Sequence, residues 1–98
     1  MQINVRGVHY NPSDETKDFL AKKLAKLKFA EEYLQDLDIV MTRNTLGQGY
    51  HIDAKLHFRW GSVKVVSQDC IELYEGIELV ADKIENTARK EKDKVKEH

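Results

Sequence analysis

The chain has 98 residues, 41% of them apolar and 34% charged, with a formal net charge of −1. That composition describes one water-exposed globular domain with enough apolar residues for a core that needs no staples. No run approaches the roughly 20 apolar residues of a membrane span, the N-terminus lacks a secretory pattern, and the single cysteine, Cys70, leaves no intrachain disulfide and no thiolate metal cluster. The expectation is a cytoplasmic protein with no cofactor and no metal.

Gln2–Val8 alternates around Ile3 and Val5 and is the first predicted strand, interrupted by Gly7. Tyr10-Asn11-Pro12-Ser13 is turn chemistry, and Ser13 is a good N-cap because its hydroxyl accepts from an orphan helical N–H. Asp14 and Glu15 follow where the helix dipole favours acid. From Asp14 to about Tyr33 there is no Gly or Pro, and Leu20, Leu24 and Leu27 recur at helical spacing, which predicts one helix. Lys22 and Lys26 lie nearly opposite that stripe with Lys23 on its shoulder; Phe19, among the lysines, has no place in this two-faced picture.

Leu37–Thr42 alternates with period two and is the second strand, and Asn44–Gly49 is a loop. In the third strand Tyr50, Ile52, Ala54, Leu56, Phe58 and Trp60 point one way and His51, Asp53, Lys55, His57 and Arg59 the other. Trp60-Gly61-Ser62 is a tight turn into a hairpin partner, Val63–Ser67, and Trp60 is expected to bury against the sheet edge. The last element begins after Asp69. Its apolar stripe is Leu73, Ile77, Val80, Ile84 and Ala88, extended by Val95, and residues after about 92 are expected to form a frayed basic tail. Gly76 inside this helix costs about 1 kcal/mol relative to Ala; close backbone approach by the sheet or by a partner would account for it, and a single glycine proves neither. The order is β-α-β-β-β-α, an α+β fold with one three- or four-stranded sheet and both helices on one face.

Little of this supports catalysis. His51 and His57 sit six residues apart, roughly 20 Å along an extended strand at about 3.3 Å per residue, so shared metal ligation with Asp53 is excluded and solvated strand residues are expected. Cys70 before the last helix has two readings, a thiolate of lowered pKa and a small residue at a junction, and the second is preferred. No nucleophile, base and oxyanion donor come together, so no enzyme is read.

Charge distribution is the informative feature. Residues 17–28 carry a balance of +4 and residues 83–96 one of +3, which leaves −8 for the rest. Lys83, Lys90 and Lys94 share one flank of the second helix with Thr87, while Glu78, Asp82, Glu85, Arg89, Lys92 and Lys96 lie on the other side. Lysines on exposed helices usually just solvate the fold. Here they concentrate on both helices, and side-by-side helices would join their outer faces into one cationic surface suited to a phosphate backbone and to recognition by shape.

Laid out this way, the chain resembles the ribosome hibernation-promoting factor family, also called the ribosome-associated inhibitor or sigma-54 modulation family. The resemblance runs nearly end to end: Ile3-Asn4-Val5-Arg6-Gly7, then Lys22-Lys23-Leu24-Ala25-Lys26-Leu27, then Leu73 to Glu85 closed by Arg89-Lys90-Glu91-Lys92-Asp93-Lys94. It implies a fold similar to double-stranded RNA-binding domains and a non-enzymatic factor that binds ribosomal RNA of the small subunit. The implied place is the channel of mRNA and tRNA, where the body of the protein blocks translation under starvation. By motif, Lys22, Lys23, Lys26, Lys83, Arg89, Lys90 and Lys94 would contact RNA, with Lys22 the weaker candidate. Many members have Arg-Gln where this chain has Asn86-Thr87, which removes one phosphate-binding group, and the common Asp-Met-Tyr-Ala-Ala is here Glu72-Leu73-Tyr74-Glu75-Gly76. The short form fits best: a monomer away from the ribosome that needs a separate ribosome modulation factor to pair ribosomes. Two alternatives stand beside it, an inhibitor that silences single ribosomes and a module that modulates a transcription factor.

Overall fold

A computed structural model describes residues 1–96, the last two by backbone alone. The strands are β1 (Gln2–Val8), β2 (Leu34–Arg43), β3 (Tyr50–Phe58) and β4 (Val63–Cys70); the helices are α1 (Asp14–Leu24), a 3₁₀ helix over Ala25–Ala30, and α2 (Leu73–Lys96). One sheet has the order β1-β2-β3-β4. β1 pairs with β2 in parallel, and the other two pairings are antiparallel. The parallel pair requires a crossover, which α1 and the 3₁₀ helix supply. The predicted order and layering hold.

Alternation decides which face meets the helices. Leu37, Ile39 and Met41 on β2, and Ile52, Ala54, Leu56 and Phe58 on β3, are buried in one cluster with Leu20, Leu24, Leu27, Ile77, Val80, Ala81, Ile84 and Ala88. Ser13 caps α1 as expected, its Oγ accepting from the Thr16 N–H at 3.1 Å. Val95, expected to extend the α2 stripe, has a side chain outside the described residues; the helix itself continues through Lys96, and any tail beyond it also lies outside them.

Three local expectations are revised. The first helix does not run unbroken to Tyr33. After Leu24 it tightens into the 3₁₀ turn, whose period of three stacks Leu24, Leu27 and Ala30 on one buried side. β2 begins at Leu34 rather than Leu37, because a register irregularity between Leu34 and Asp36 lets Leu34 and Leu37 both face the core. That extra residue breaks the sequence alternation. β3 ends at Phe58, so Trp60 belongs to the turn; it is 41% exposed rather than buried.

Gly76 is explained by the sheet. A Cβ there would run into Cys70 Sγ and would lie 2.8 Å from Cys70 Cβ and 3.2 Å from Ile52 Cδ1. Only a bare Cα lets the first turns of α2 sit this low on β3 and β4.

Candidate nucleic-acid interface

Six of the seven sequence-predicted cations fall into two groups, and Lys22 stands apart. On the seam between the helices, Lys23 Nζ is 3.0 Å from Glu78, and Lys26 pairs with Asp82 and lies 3.9 Å from Glu85. Phe19 finds its place here, stacked on Tyr74 of α2 at 4.4 Å with planes 9° apart, and Lys23 sits 5.3 Å above its ring. Arg89 reaches the same Glu85 at 3.4 Å and lays its guanidinium 4.2 Å over Phe29. These cations are matched by acids of α2, so the seam is charge-balanced and does not merge with the second group into one cationic face. Lys22 points away from the seam into solvent, and no ion pair holds it among the described residues.

The second group lies on the other flank of α2, over the edge strand. Lys83 Nζ donates to the Ser67 carbonyl at 2.7 Å. Lys94 is 3.6 Å from Glu91, and Lys64 of β4 is 3.5 Å from the same carboxylate. Glu91 has a side chain only 8% exposed and also accepts from Ser62 Oγ at 3.2 Å. Burial opposes its charge, but the Ser62 hydroxyl and the two ammonium groups outweigh burial and hold the carboxyl below its usual range. Lys90 is exposed on this flank, and no ion pair engages it among the described residues. One sunken carboxylate among Lys64, Lys83, Lys90 and Lys94 leaves a stripe of net positive charge.

The outer face of the sheet is a hydrogen-bonded polar layer. His51 bridges Asp69 at 2.6 Å and Asp53 at 2.9 Å, and Ser67 Oγ donates to Asp53 at 2.6 Å. The Asp69 hydrogen bond, opposed by partial burial and reinforced by Asp53, raises the imidazole pKa. His57 belongs to a separate group, 3.2 Å from Asp38, which also accepts from Asn4 at 2.7 Å. No cluster of three or more metal-ligating side chains forms among the described residues. Cys70 closes β4, and burial pushes its thiol pKa up, opposite to an activated nucleophile.

The sequence gives little sign of one further feature. Tyr33, Phe58 and Trp60 form a set of nearly parallel rings: Phe58–Trp60 at 5.2 Å and 14°, Tyr33–Trp60 at 5.8 Å and 23°, Tyr33–Phe58 at 6.4 Å and 11°. The three-residue spacing Leu27, Ala30, Tyr33 is the one signal for it, because it carries the 3₁₀ face on to Tyr33.

A parallel first strand pair, two helices on one face and a lysine flank beside the edge strand define an α+β domain of the β-α-β-β-β-α class. The chain belongs to the family described as "Sigma 54 modulation protein / S30EA ribosomal protein", whose profile matches residues 3–96. It is 29% identical to the ribosome hibernation promoting factor of Azotobacter vinelandii over 94 residues, covering 96% of this chain and 85% of that one. Identity to the factor of the same name from Salmonella typhimurium is 29% over 99 aligned positions, covering 100% of both chains. In fold it matches a ribosomal subunit interface protein from Coxiella burnetii, with TM-score 0.83 at 22% identity over 95% of this chain and 99% of that one. It also matches the N-terminal domain of Protein Y from Thermus thermophilus, with TM-score 0.79 at 21% identity over 92% and 98%.

Proposed function

We propose that the protein is a ribosome hibernation factor, a binding protein rather than an enzyme, that occupies the small subunit where mRNA and tRNA are read and blocks translation in the cytoplasm of starved cells. The observation that carries the reading is the α2 flank of Lys83, Lys90 and Lys94, with family membership supplying the ribosome. Each ammonium that neutralises a phosphate releases a counterion, so affinity falls with salt. Lysine acts as a point charge on phosphate, and such contacts position a protein without reading base sequence, which suits folded ribosomal RNA.

Lys22 adds to this footprint from α1. Lys23, Lys26 and Arg89 join only by exchanging their acid partners on α2 for phosphate, so each contributes less than its charge implies. Away from the ribosome the protein is a monomer, and joining two ribosomes falls to a separate modulation factor.

The test is co-sedimentation with isolated small ribosomal subunits across a salt series, with mRNA and tRNA as competitors. Lys83→Gln with Lys90→Gln should weaken binding and reduce the slope of log K against log salt by roughly 1.5, at about 0.7–0.9 for each phosphate left without its ammonium. Lys94 is left in place because it also neutralises Glu91. An unchanged slope sinks the flank as the contact surface. Absence of binding at low salt sinks the ribosomal reading and brings forward a protein partner.

A further inference from the structure

Trp60 lies in the β3–β4 turn, where Gly61 takes φ +93° and the Phe58 N–H donates to the Ser62 carbonyl at 2.9 Å. The turn holds the indole against Phe58 and Tyr33 on one side, yet 41% of the residue stays exposed. An indole backed by nearly parallel rings and 41% exposed as a residue is a candidate surface for another flat ring. Cations lie near it, and the exposed acids Glu31 and Glu32 directly precede Tyr33. Arg59 is the exposed neighbour in sequence, Lys92 Nζ lies 6.0 Å over the Tyr33 ring, and Arg89 stacks on Phe29, itself 6.3 Å from Tyr33. Burial pushes the Tyr33 phenol pKa up, with Arg89 opposing and Asp93 adding to the rise.

The platform also connects with the lysine flank. Ser62, in the same turn as Trp60, donates to Glu91, and Glu91 gathers Lys64 and Lys94. The turn that carries Trp60 therefore touches α2 at Glu91, beside the Lys94 end of the flank.

We infer that the Trp60–Phe58–Tyr33 platform stacks an unpaired base of a single-stranded RNA segment whose backbone lies along the α2 lysine flank. This rests on the proposed RNA-binding function and adds to it a contact with bases. Stacking tolerates any base because every base has a π-face, and a purine offers the larger one. A base inside a duplex already has its stacking partners, so the platform selects unpaired RNA where the lysines do not.

Trp60 is the only tryptophan in the chain, so its fluorescence reports the event directly. Full-length protein is titrated with an eight-nucleotide oligoadenylate, with the same length of perfectly paired RNA duplex, and with a single strand carrying abasic sites. The expected result is quenching by oligoadenylate, with protection of Trp60 from acrylamide, and neither effect with the duplex or the abasic strand. By fluorescence anisotropy of labelled RNA, Trp60→Leu should weaken oligoadenylate binding roughly 5- to 150-fold, the range of one base stacked on one aromatic ring. Duplex binding should stay the same, and Trp60→Phe should recover most of the loss. Should Trp60→Leu fail to fold, the wild-type quenching contrast and Trp60→Phe still decide the matter.

Equal quenching by duplex and single strand overturns the platform while leaving the lysine reading intact. Failure of every RNA to bind at low salt, with the Lys83→Gln, Lys90→Gln protein indistinguishable from wild type, overturns the RNA-binding function itself.

Discussion

Replacing Gly76 by Ala sets two physical effects of opposite sign against each other. In an exposed helix the change gains about 1 kcal/mol, because glycine loses more backbone entropy on folding. Here the new methyl lands on Cys70, inside the contact distance of Sγ and 2.8 Å from Cβ. Rotating Cys70 moves Sγ but not Cβ, whose place is set by the β4 backbone paired with Tyr50. The helix must lift from the sheet, which separates Ile77, Val80 and Ile84 from the core residues they touch. Overpacking of this kind costs about 1–3 kcal/mol, and two approaches below 3 Å put this site toward the upper end. After the propensity gain, the net loss is about 1–2 kcal/mol, roughly a 4–15 °C fall in Tm for a domain of this size. Urea unfolding followed by Trp60 fluorescence measures it as a lower midpoint at constant slope. Removing the sulfur should return part of the loss, so Cys70→Ala with Gly76→Ala should be more stable than the sum of the single changes by about 1 kcal/mol. A Gly76→Ala protein more stable than wild type would refute the close approach of α2 to β4.

His51 should make stability depend on pH. Its pKa is raised in the folded state, first by the Asp69 hydrogen bond, so its contribution is present below the ordinary value of 6.5 and is lost as pH rises through the higher folded one. With over a third of the side chain exposed, the effect is a few tenths of a kcal/mol. His51→Gln should flatten the difference in Tm between pH 6 and pH 8, and an identical pH dependence in both proteins would mean the bridge does not form in solution. Among the described residues the buried Tyr33 hydroxyl has no hydrogen-bond partner, a cost of about 1–3 kcal/mol. Tyr33→Phe should therefore raise the urea midpoint, whereas a fall would show that the hydroxyl has a partner.

Much of the fold can be read from single residues because its signals are local. Ser13, the apolar stripes of the two helices and the alternation of Tyr50–Phe58 each encode an element without help from distant parts of the chain. The misread features depend on tertiary packing. Leu27 and Ala30 fit an α-helical or a 3₁₀ period equally until Tyr33 is seen to dock on Phe58 and Trp60. Phe19 looks misplaced among lysines because its partner, Tyr74, lies 55 positions away. The cations show the same division. Which helix flank carries Lys83, Lys90 and Lys94 follows from 100° per residue, but that Lys23 and Lys26 face Glu78 and Asp82 follows only from how α1 and α2 dock.

α2 is fastened at both ends, by Gly76 against Cys70 in its first turns and by Glu91 to Ser62 and Lys64 in its last. Two fasteners on one rod suppress rolling about its axis, the motion that would sweep a lysine row from one direction to another. At 1.5 Å per residue the ammonium-bearing positions stand about 10 Å and 6 Å apart along that rod, a fixed spacing set before any ligand arrives. A substitution at Gly76, which touches no lysine, would therefore blur the aim of all three together.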